Sequence, residues 1–87
     1  MTKRIERLLA EMESNQANVR FLDLKRVCEY FFGSPRNAHG SHVVFKMPWP
    51  GDPRVNIQNF RGKAKPYQVR QVLLAVHKMK EHQHGND

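Results

Sequence analysis

Apolar residues recur at helical spacing near the start of the chain, within residues 2–13. They occupy positions i, i+3, i+4 and i+7 among mostly charged neighbours, which predicts an amphipathic helix. Thr2 is suited to cap the N-terminus of this helix. The polar run over residues 14–18 predicts its end and a short linker. The predicted buried residues of the helix are Ile5, Leu8, Leu9 and Met12.

Two later segments carry the same helical spacing. The first predicts a helix over residues 22–32, which Gly33 ends. Its N-cap is either Asn18 or Asp23. The second predicts a helix that opens at Pro66, because proline is favoured at the first helical position. The apolar stripes of these helices are Leu24, Val27, Cys28 and Phe31, which Phe21 extends, and Val69, Val72, Leu73, Val76 and Met79.

Between these helices the apolar period changes to two, which predicts two strands over residues 41–47 and 54–59. The segment that joins them, residues 48–53, contains three prolines. Proline cannot donate a hydrogen bond to a ladder, so this segment is predicted to be a loop. Val43, Phe45, Met47, Val55 and Ile57 are expected to face inward, and His42, Val44, Lys46, Arg54, Asn56 and Gln58 outward.

The two strands are expected to form an antiparallel hairpin with one buried and one open face. Opposed residues share a face, so His42 is expected opposite Gln58 or Phe60. A short strand over residues 36–38, preceded by Pro35, is expected to pair on the other side. The predicted fold class is therefore α+β: a small three-stranded antiparallel sheet with helices packed on one face (α-β-β-β-α), plus an additional N-terminal helix.

The length of 87 residues favours a single core. We expect residues 1–18 to form the N-terminal helix and linker, residues 19–81 the principal domain, and residues 82–87 a polar tail. Neither a run of 18 apolar residues nor a signal-like segment is present, which predicts a cytoplasmic protein that does not enter a membrane. The single cysteine, Cys28, excludes an intramolecular disulfide and is most simply a core residue.

Positive charge is concentrated on one stretch of the chain. Residues 36–70 contain seven of the 15 Lys and Arg residues but only one acid, Asp52, so they carry +6 of the formal net charge of +7. This concentration predicts a polyanionic partner, with nucleic acid as the first candidate. Lys63 and Lys65 precede the last predicted helix, whose N-terminal N–H groups also favour an anion.

The outward side chains of the hairpin suggest how RNA would bind. Lys46 lies about 13 Å from His42 along the strand, at ~3.3 Å per residue, which suits contact with a neighbouring phosphate. Asn56 and Gln58 can bond sugar hydroxyls or base edges. Gly40 permits a backbone geometry or a close approach that a side chain would block. The predicted RNA-binding residues are Arg36, Gly40, Ser41, Lys46, Arg54, Asn56, Gln58, Lys63 and Lys65.

His42 is the candidate for chemistry on this surface. An imidazole titrates near neutrality and suits proton transfer from a ribose 2′-OH or to a 5′-oxygen leaving group. This route requires neither a metal nor a cofactor. The alternative, which the pattern alone favours, is an ordinary exposed strand residue that contacts phosphate. His77, His82 and His84 are expected to form a solvated helix end rather than a metal site.

Several motifs follow one another in a distinctive order: Gly40-Ser41-His42, Val43-Val44-Phe45-Lys46, Arg54-Val55-Asn56-Ile57, Gly62-Lys63 and a helix start at Pro66. In this order they resemble the HicA-type mRNA interferase toxins, over approximately residues 24–79. The resemblance implies a fold like that of double-stranded-RNA-binding domains, with His42 as the catalytic residue. It also implies metal-independent cleavage of translated mRNA and neutralisation by a HicB-type antitoxin that covers the site.

Two features lie outside this resemblance. The N-terminal helix up to Met12 is additional, and it is expected to pack on the domain or on a second copy in a homodimer. The loop over residues 48–53 is longer than a simple hairpin turn, and its Trp49 is suited to stack on a base, contact the antitoxin or shield the sheet edge. The leading hypothesis is a toxin-type endoribonuclease. The alternatives are a non-catalytic RNA-binding module and a partner-binding domain assembled through the N-terminal helix.

Overall fold

A computed structural model describes residues 2–51 and 53–84, apart from the side chains of His39 and of residues 82–84. Asp52 and residues 85–87, the end of the predicted tail, lie outside the described residues. The described chain has the predicted α+β class, with three helices and one three-stranded sheet. The elements are α1 (Lys3–Ser14), α2 (Phe21–Phe32), β1 (Asn37–His39), β2 (His42–Lys46), β3 (Arg54–Gln58) and α3 (Pro66–His84).

Three helix ends follow from local sequence, as predicted. The Thr2 hydroxyl accepts the Ile5 N–H at 3.1 Å and caps α1. Gly33 ends α2 with a φ of +83°, a conformation that favours glycine. Helix α3 begins at Pro66 and continues to His84, into the segment predicted as a polar tail.

None of the helices in the described residues has the length and apolar character needed to cross a membrane.

The start of α2 differs from the prediction. The helix begins at Phe21, and neither Asn18 nor Asp23 caps it. The N–H of Phe21 instead donates to the Gly62 carbonyl at 3.0 Å, which satisfies a helix N–H group through the backbone. Asn18 is engaged elsewhere, because its Oδ1 accepts Lys63 Nζ at 2.7 Å, and Asp23 lies inside the first turn. The predicted caps are therefore wrong.

The sheet has the order β1-β2-β3, and both pairings are antiparallel. Strand β1 begins and ends one residue later than predicted. His42 pairs with Gln58, the first of its two predicted partners. Phe60, the second, pairs across a turn with Lys63 instead. The hairpin register therefore follows from matching the buried faces of its two strands.

One face of the sheet forms the core, as predicted. Helices α2 and α3 pack against it, and α1 packs on those two helices as an outer layer. Cys28 lies in this core, where burial, reinforced by the Glu29 carboxylate, raises the pKa of its thiol. Its predicted role as a core residue is confirmed. The inward sheet residues are all buried: Val43, Phe45, Met47, Val55 and Ile57.

Helix α1 shares this core with the rest of the chain. All four predicted apolar residues are buried, and they belong to the same hydrophobic cluster as the sheet. The stripe that a second copy would need is therefore covered by α2 and α3 of the same chain. A homodimer through α1 would have to use a different surface. The buried stripe consists of Ile5, Leu8, Leu9 and Met12.

Trp49 is half-buried in the loop between β2 and β3 and packs against the core. The ammonium of Lys78 on α3 lies 4.8 Å from the centroid of its ring, which is cation–π geometry. Loop and helix are thus joined through this contact. Of the predicted roles for Trp49, this packing favours shielding of the sheet edge.

Candidate nucleic-acid interface

The open face of the sheet carries most of the predicted site. Alternate residues of β2 and β3 point away from the core, because successive side chains of a strand face opposite sides. Their chemistry is polar or cationic, with one aliphatic exception. His42, Lys46, Arg54 and Asn56 are exposed, and Val44 and Gln58 are half-buried.

The hydrogen-bond pattern brings the side chains of His42 and Gln58 together. The Asn59 N–H donates to the Ser41 carbonyl at 2.8 Å, while the Gln58 N–H points away from β2 and donates to Gln68 on α3. His42 and Gln58 are therefore a non-hydrogen-bonded pair of the ladder. The Cα atoms of such a pair are ~4.5 Å apart, and their side chains are in closer contact than in the alternate pairs. The Gln58 amide is thus a direct cross-strand neighbour of the imidazole.

A two-residue turn, Gly40-Ser41, positions His42 at the start of β2, with His39 and His42 paired across it. Gly40 has a φ of +57°, the sign that two-residue hairpin turns require at the first central position. A Cβ added there would meet no atom within 4 Å. The first predicted role of Gly40, a backbone geometry that favours glycine, is thus met by the turn. Ser41 is exposed, in the turn.

The His42 side chain is exposed, and no carboxylate among the described residues is bonded to its imidazole. The His77 ring, by contrast, lies 3.2 Å from Glu13 Oε1. No group of three His, Cys, Asp or Glu residues in the described chain is arranged to hold a metal ion. His77 is exposed, but it does not lie at the helix end as predicted, because α3 continues beyond it to His84. The side chains of His82 and His84 lie outside the described residues.

Two cations lie at the other end of the open face. Lys46 and Arg54 pair directly across β2 and β3 and are both exposed. Each is four residues from the His42–Gln58 pair, a separation that matches neighbouring phosphates rather than the same one. Arg36 is exposed just before β1, and its N–H donates to the Val44 carbonyl at 2.7 Å. The sheet therefore brings together most of the predicted RNA-binding residues.

The two lysines before α3 are placed differently. Lys63 is exposed, but its ammonium donates to Asn18 Oδ1 at 2.7 Å. Lys65 is half-buried, and its carbonyl accepts the Gln68 N–H at 2.9 Å in the first turn of the helix. Because Gln68 also bonds the Gln58 backbone, this lysine pair flanks the His42 end of the face. Lys63 and Lys65 thus border the site rather than lying on the sheet.

Three residues that the sequence did not identify as site residues contribute to this end of the sheet. Gln68 is buried, with 3% of its surface exposed, and its side chain holds both the Gln58 N–H and the Tyr67 hydroxyl. Gln68 lies four residues before Val72, on the same side of α3 as the apolar stripe. This spacing is the feature of the sequence that could have indicated its burial. Phe60 and Tyr67 are 56% and 53% exposed. Nothing in the apolar pattern distinguishes such exposed aromatic residues from buried ones.

Comparisons with known proteins do not extend this picture. No family model, no curated protein and no solved structure matches the chain. The fold and the site define a small α+β domain whose one-sided antiparallel sheet presents histidine, amide and cationic side chains on its open face.

Proposed function

We propose that this protein is an endoribonuclease of the HicA-type mRNA interferase toxins, which binds RNA on the open face of its sheet and cleaves it at His42. The proposal rests on one observation: exposed His42 lies beside the Gln58 amide, on the same face as two cations. Charge concentration and the motif resemblance add to it. The cations are Lys46 and Arg54, and Asn56 lies between them and His42.

In the proposed reaction, neutral His42 accepts the proton of a ribose 2′-OH. The 2′-oxygen attacks the adjacent phosphorus, the bond to the 5′-oxygen breaks, and that oxygen leaves with a proton from imidazolium or water. The products are a 2′,3′-cyclic phosphate and a 5′-OH. In this proposal the Gln58 amide donates to a phosphate oxygen at this position, whereas Lys46, about 13 Å away, contacts a neighbouring phosphate.

The proposed substrate is translated mRNA in the cytoplasm, and the proposed partner is a HicB-type antitoxin that covers the open face. Both follow from the motif resemblance. They agree with a face on which four side chains are exposed in the chain alone: His42, Lys46, Arg54 and Asn56. Binding of such a partner would suppress cleavage because it would exclude RNA from His42.

A second function, a non-catalytic RNA-binding module, is favoured by one observation. No carboxylate in the described residues orients the His42 imidazole, although a histidine base is often held by a third group. In this function the same face binds phosphates and sugars, and His42 is one contact among several. The two functions predict the same binding surface but different fates for the RNA.

Product analysis in a chelating buffer tests the proposal. The purified protein is incubated with a labelled single-stranded RNA and, in parallel, with the same strand carrying 2′-deoxyribose throughout. Cleavage of the RNA alone, with 2′,3′-cyclic phosphate ends, is the expected result. Intact RNA that nevertheless binds would establish the non-catalytic function. Cleavage that the chelator abolishes, or 5′-phosphate ends, would contradict the proposed chemistry.

A further inference from the structure

Phe60 is an exposed aromatic residue on a rigid support. Its N–H and carbonyl both bond Lys63, at 2.9 and 3.0 Å, across the turn formed by Arg61 and Gly62. Both turn residues have positive φ, +53° and +86°, which defines a type I′ turn. Arg61 is the one non-glycine residue of the described chain with positive φ. The Asn59 side chain accepts the Gly62 N–H at 2.7 Å and further fixes the turn.

The turn is also anchored to the helical layer. The Gly62 carbonyl accepts the Phe21 N–H at 3.0 Å, and the Ala64 N–H donates to the Val19 carbonyl at 2.9 Å. Phe21, Val19 and Ala64 are all buried. The Phe60 ring, although 56% exposed, is therefore carried on a segment that the core holds in place.

Phe60 lies beside the proposed cleavage site. It is two residues beyond Gln58, which pairs with His42, and the Asn59 to Ser41 hydrogen bond continues the ladder between them. Phe60 lies two residues past the end of β3, in the turn that follows the strand, and its ring is exposed. At ~3.3 Å per residue of extended chain, Phe60 is within about 7 Å of Gln58, a distance that adjacent nucleotides of an extended strand can span.

The Arg61 guanidinium lies 5.5 Å from the centroid of the Phe60 ring. A cation at this distance is attracted to the face of the ring, and its guanidinium group can also bind a phosphate. Aromatic rings and guanidinium planes are the groups on which proteins stack the bases of single-stranded nucleic acids. Phe60 does not belong to the hydrophobic core cluster, so its ring is accessible to a ligand.

We propose that Phe60 and Arg61 form a stacking platform for one nucleobase of single-stranded RNA, next to the phosphate that His42 contacts. This inference rests on the proposed binding of RNA to the open face. The platform recognises unpaired bases in general, because every base has a π face, and it selects single strands over duplexes. The strand it holds is extended across His42, with its neighbouring phosphates toward Lys46.

Fluorescence anisotropy tests the platform. The full chain carries His42→Ala so that the RNA stays intact, and it is titrated in chelator with a labelled ten-nucleotide RNA, single-stranded or fully paired. Adding Phe60→Leu, which keeps an apolar side chain without a π face, is expected to weaken single-strand binding about tenfold or more and to leave duplex binding unchanged. Tyr30→Leu, a matched change of an aromatic 45% exposed on α2, is expected to change neither.

Phe60→Trp provides a second variant that keeps a π face. It is expected to retain the affinity and to gain tryptophan emission that single-stranded RNA quenches. RNA binding by the His42→Ala protein that Phe60→Leu leaves unchanged would overturn the platform but not the proposed function. Equal weakening for single strand and duplex, or bound RNA without quenching, would overturn it as well. If neither RNA binds the His42→Ala protein, the proposed function and the platform fail together.

Discussion

The side-chain oxygen of Gln68 accepts the backbone N–H of Gln58 at 2.7 Å. A buried helix residue thereby closes the free edge of β3 beside His42. An edge strand normally leaves such N–H groups to solvent or to another chain. The side-chain nitrogen of Gln68 donates to the Tyr67 hydroxyl at 3.2 Å, so the oxygen and the nitrogen of this side-chain amide both have hydrogen-bond partners. Helix α3 thus fixes the strand that faces the proposed catalytic histidine.

Replacing Gln68 by leucine is expected to lower the free energy of unfolding by about 1–3 kcal/mol, because the partly buried Gln58 N–H loses its acceptor. Urea denaturation followed by circular dichroism measures the change. Gln71→Leu, an exposed glutamine of the same helix, is the control and should stay within about 0.5 kcal/mol of the wild type. Equal losses in the two variants would contradict the role of this hydrogen bond.

The place of α1 in the core is tested at Met12, of which 1% is exposed. Met12→Ala is expected to cost about 2–5 kcal/mol of unfolding free energy, because it leaves a cavity between helices. Its neighbour Glu11 is exposed, and Glu11→Ala serves as the control. Light scattering of both variants should give the same mass as the wild type. A lower mass for Met12→Ala without a loss of stability would instead support a dimer through α1.

Cys28 gives the protein a pH dependence at the alkaline end. Burial raises the pKa of its thiol in the folded state, so the unfolded chain, in which thiols ionise near pH ~8.5, releases the proton first. This contribution to stability is fully present below that pH and is lost as the pH rises above it, at up to about 1.4 kcal/mol per pH unit. Unfolding free energies of wild type and Cys28→Ala between pH 7.5 and 10 should therefore converge. Parallel curves would exclude the effect.

The contact between Lys78 and Trp49 predicts a spectroscopic change, since Trp49 is the single tryptophan. Lys78→Ala is expected to shift the emission maximum to longer wavelength, because the ring gains solvent, and to cost ~0.5–1 kcal/mol of stability. Lys3→Ala, a change of an exposed lysine on α1, should leave the emission unchanged. An unaltered spectrum for Lys78→Ala would show that the loop does not depend on this contact.

Much of the fold was predictable because it depends on local periodicity. The apolar stripes gave three helices, and the alternation around Phe45 and Ile57 gave the inward face of the sheet. Matching those faces left two registers, of which the pairing of His42 with Gln58 is the one that forms. The exposure of His42 followed from the same alternation.

The remaining features depend on contacts between distant parts of the chain. The Phe21 N–H at the start of α2 donates to the Gly62 carbonyl. This partner is a backbone group, so no capping residue in the sequence predicts it. Gln68 has the spacing of a core residue, but its acceptor role arises only when α3 meets β3. Phe60 is held outward by a turn with arginine at a position where asparagine or glycine is usual. Hydrogen bonds of this kind join residues that are far apart in the chain, so no periodic pattern in the sequence predicts them.

Proposed cleavage of RNA by His42 is tested by mutation of this histidine. The initial rate of cleavage of a single-stranded RNA in chelator is compared for wild type, His42→Ala and His77→Ala, with RNA affinity recorded for each. Loss of general acid–base catalysis predicts a rate about 10²- to 10⁴-fold lower for His42→Ala at nearly unchanged affinity. His77→Ala, a histidine on α3 paired with Glu13, should cleave like the wild type. Equal cleavage by all three proteins, or by none, would contradict the account.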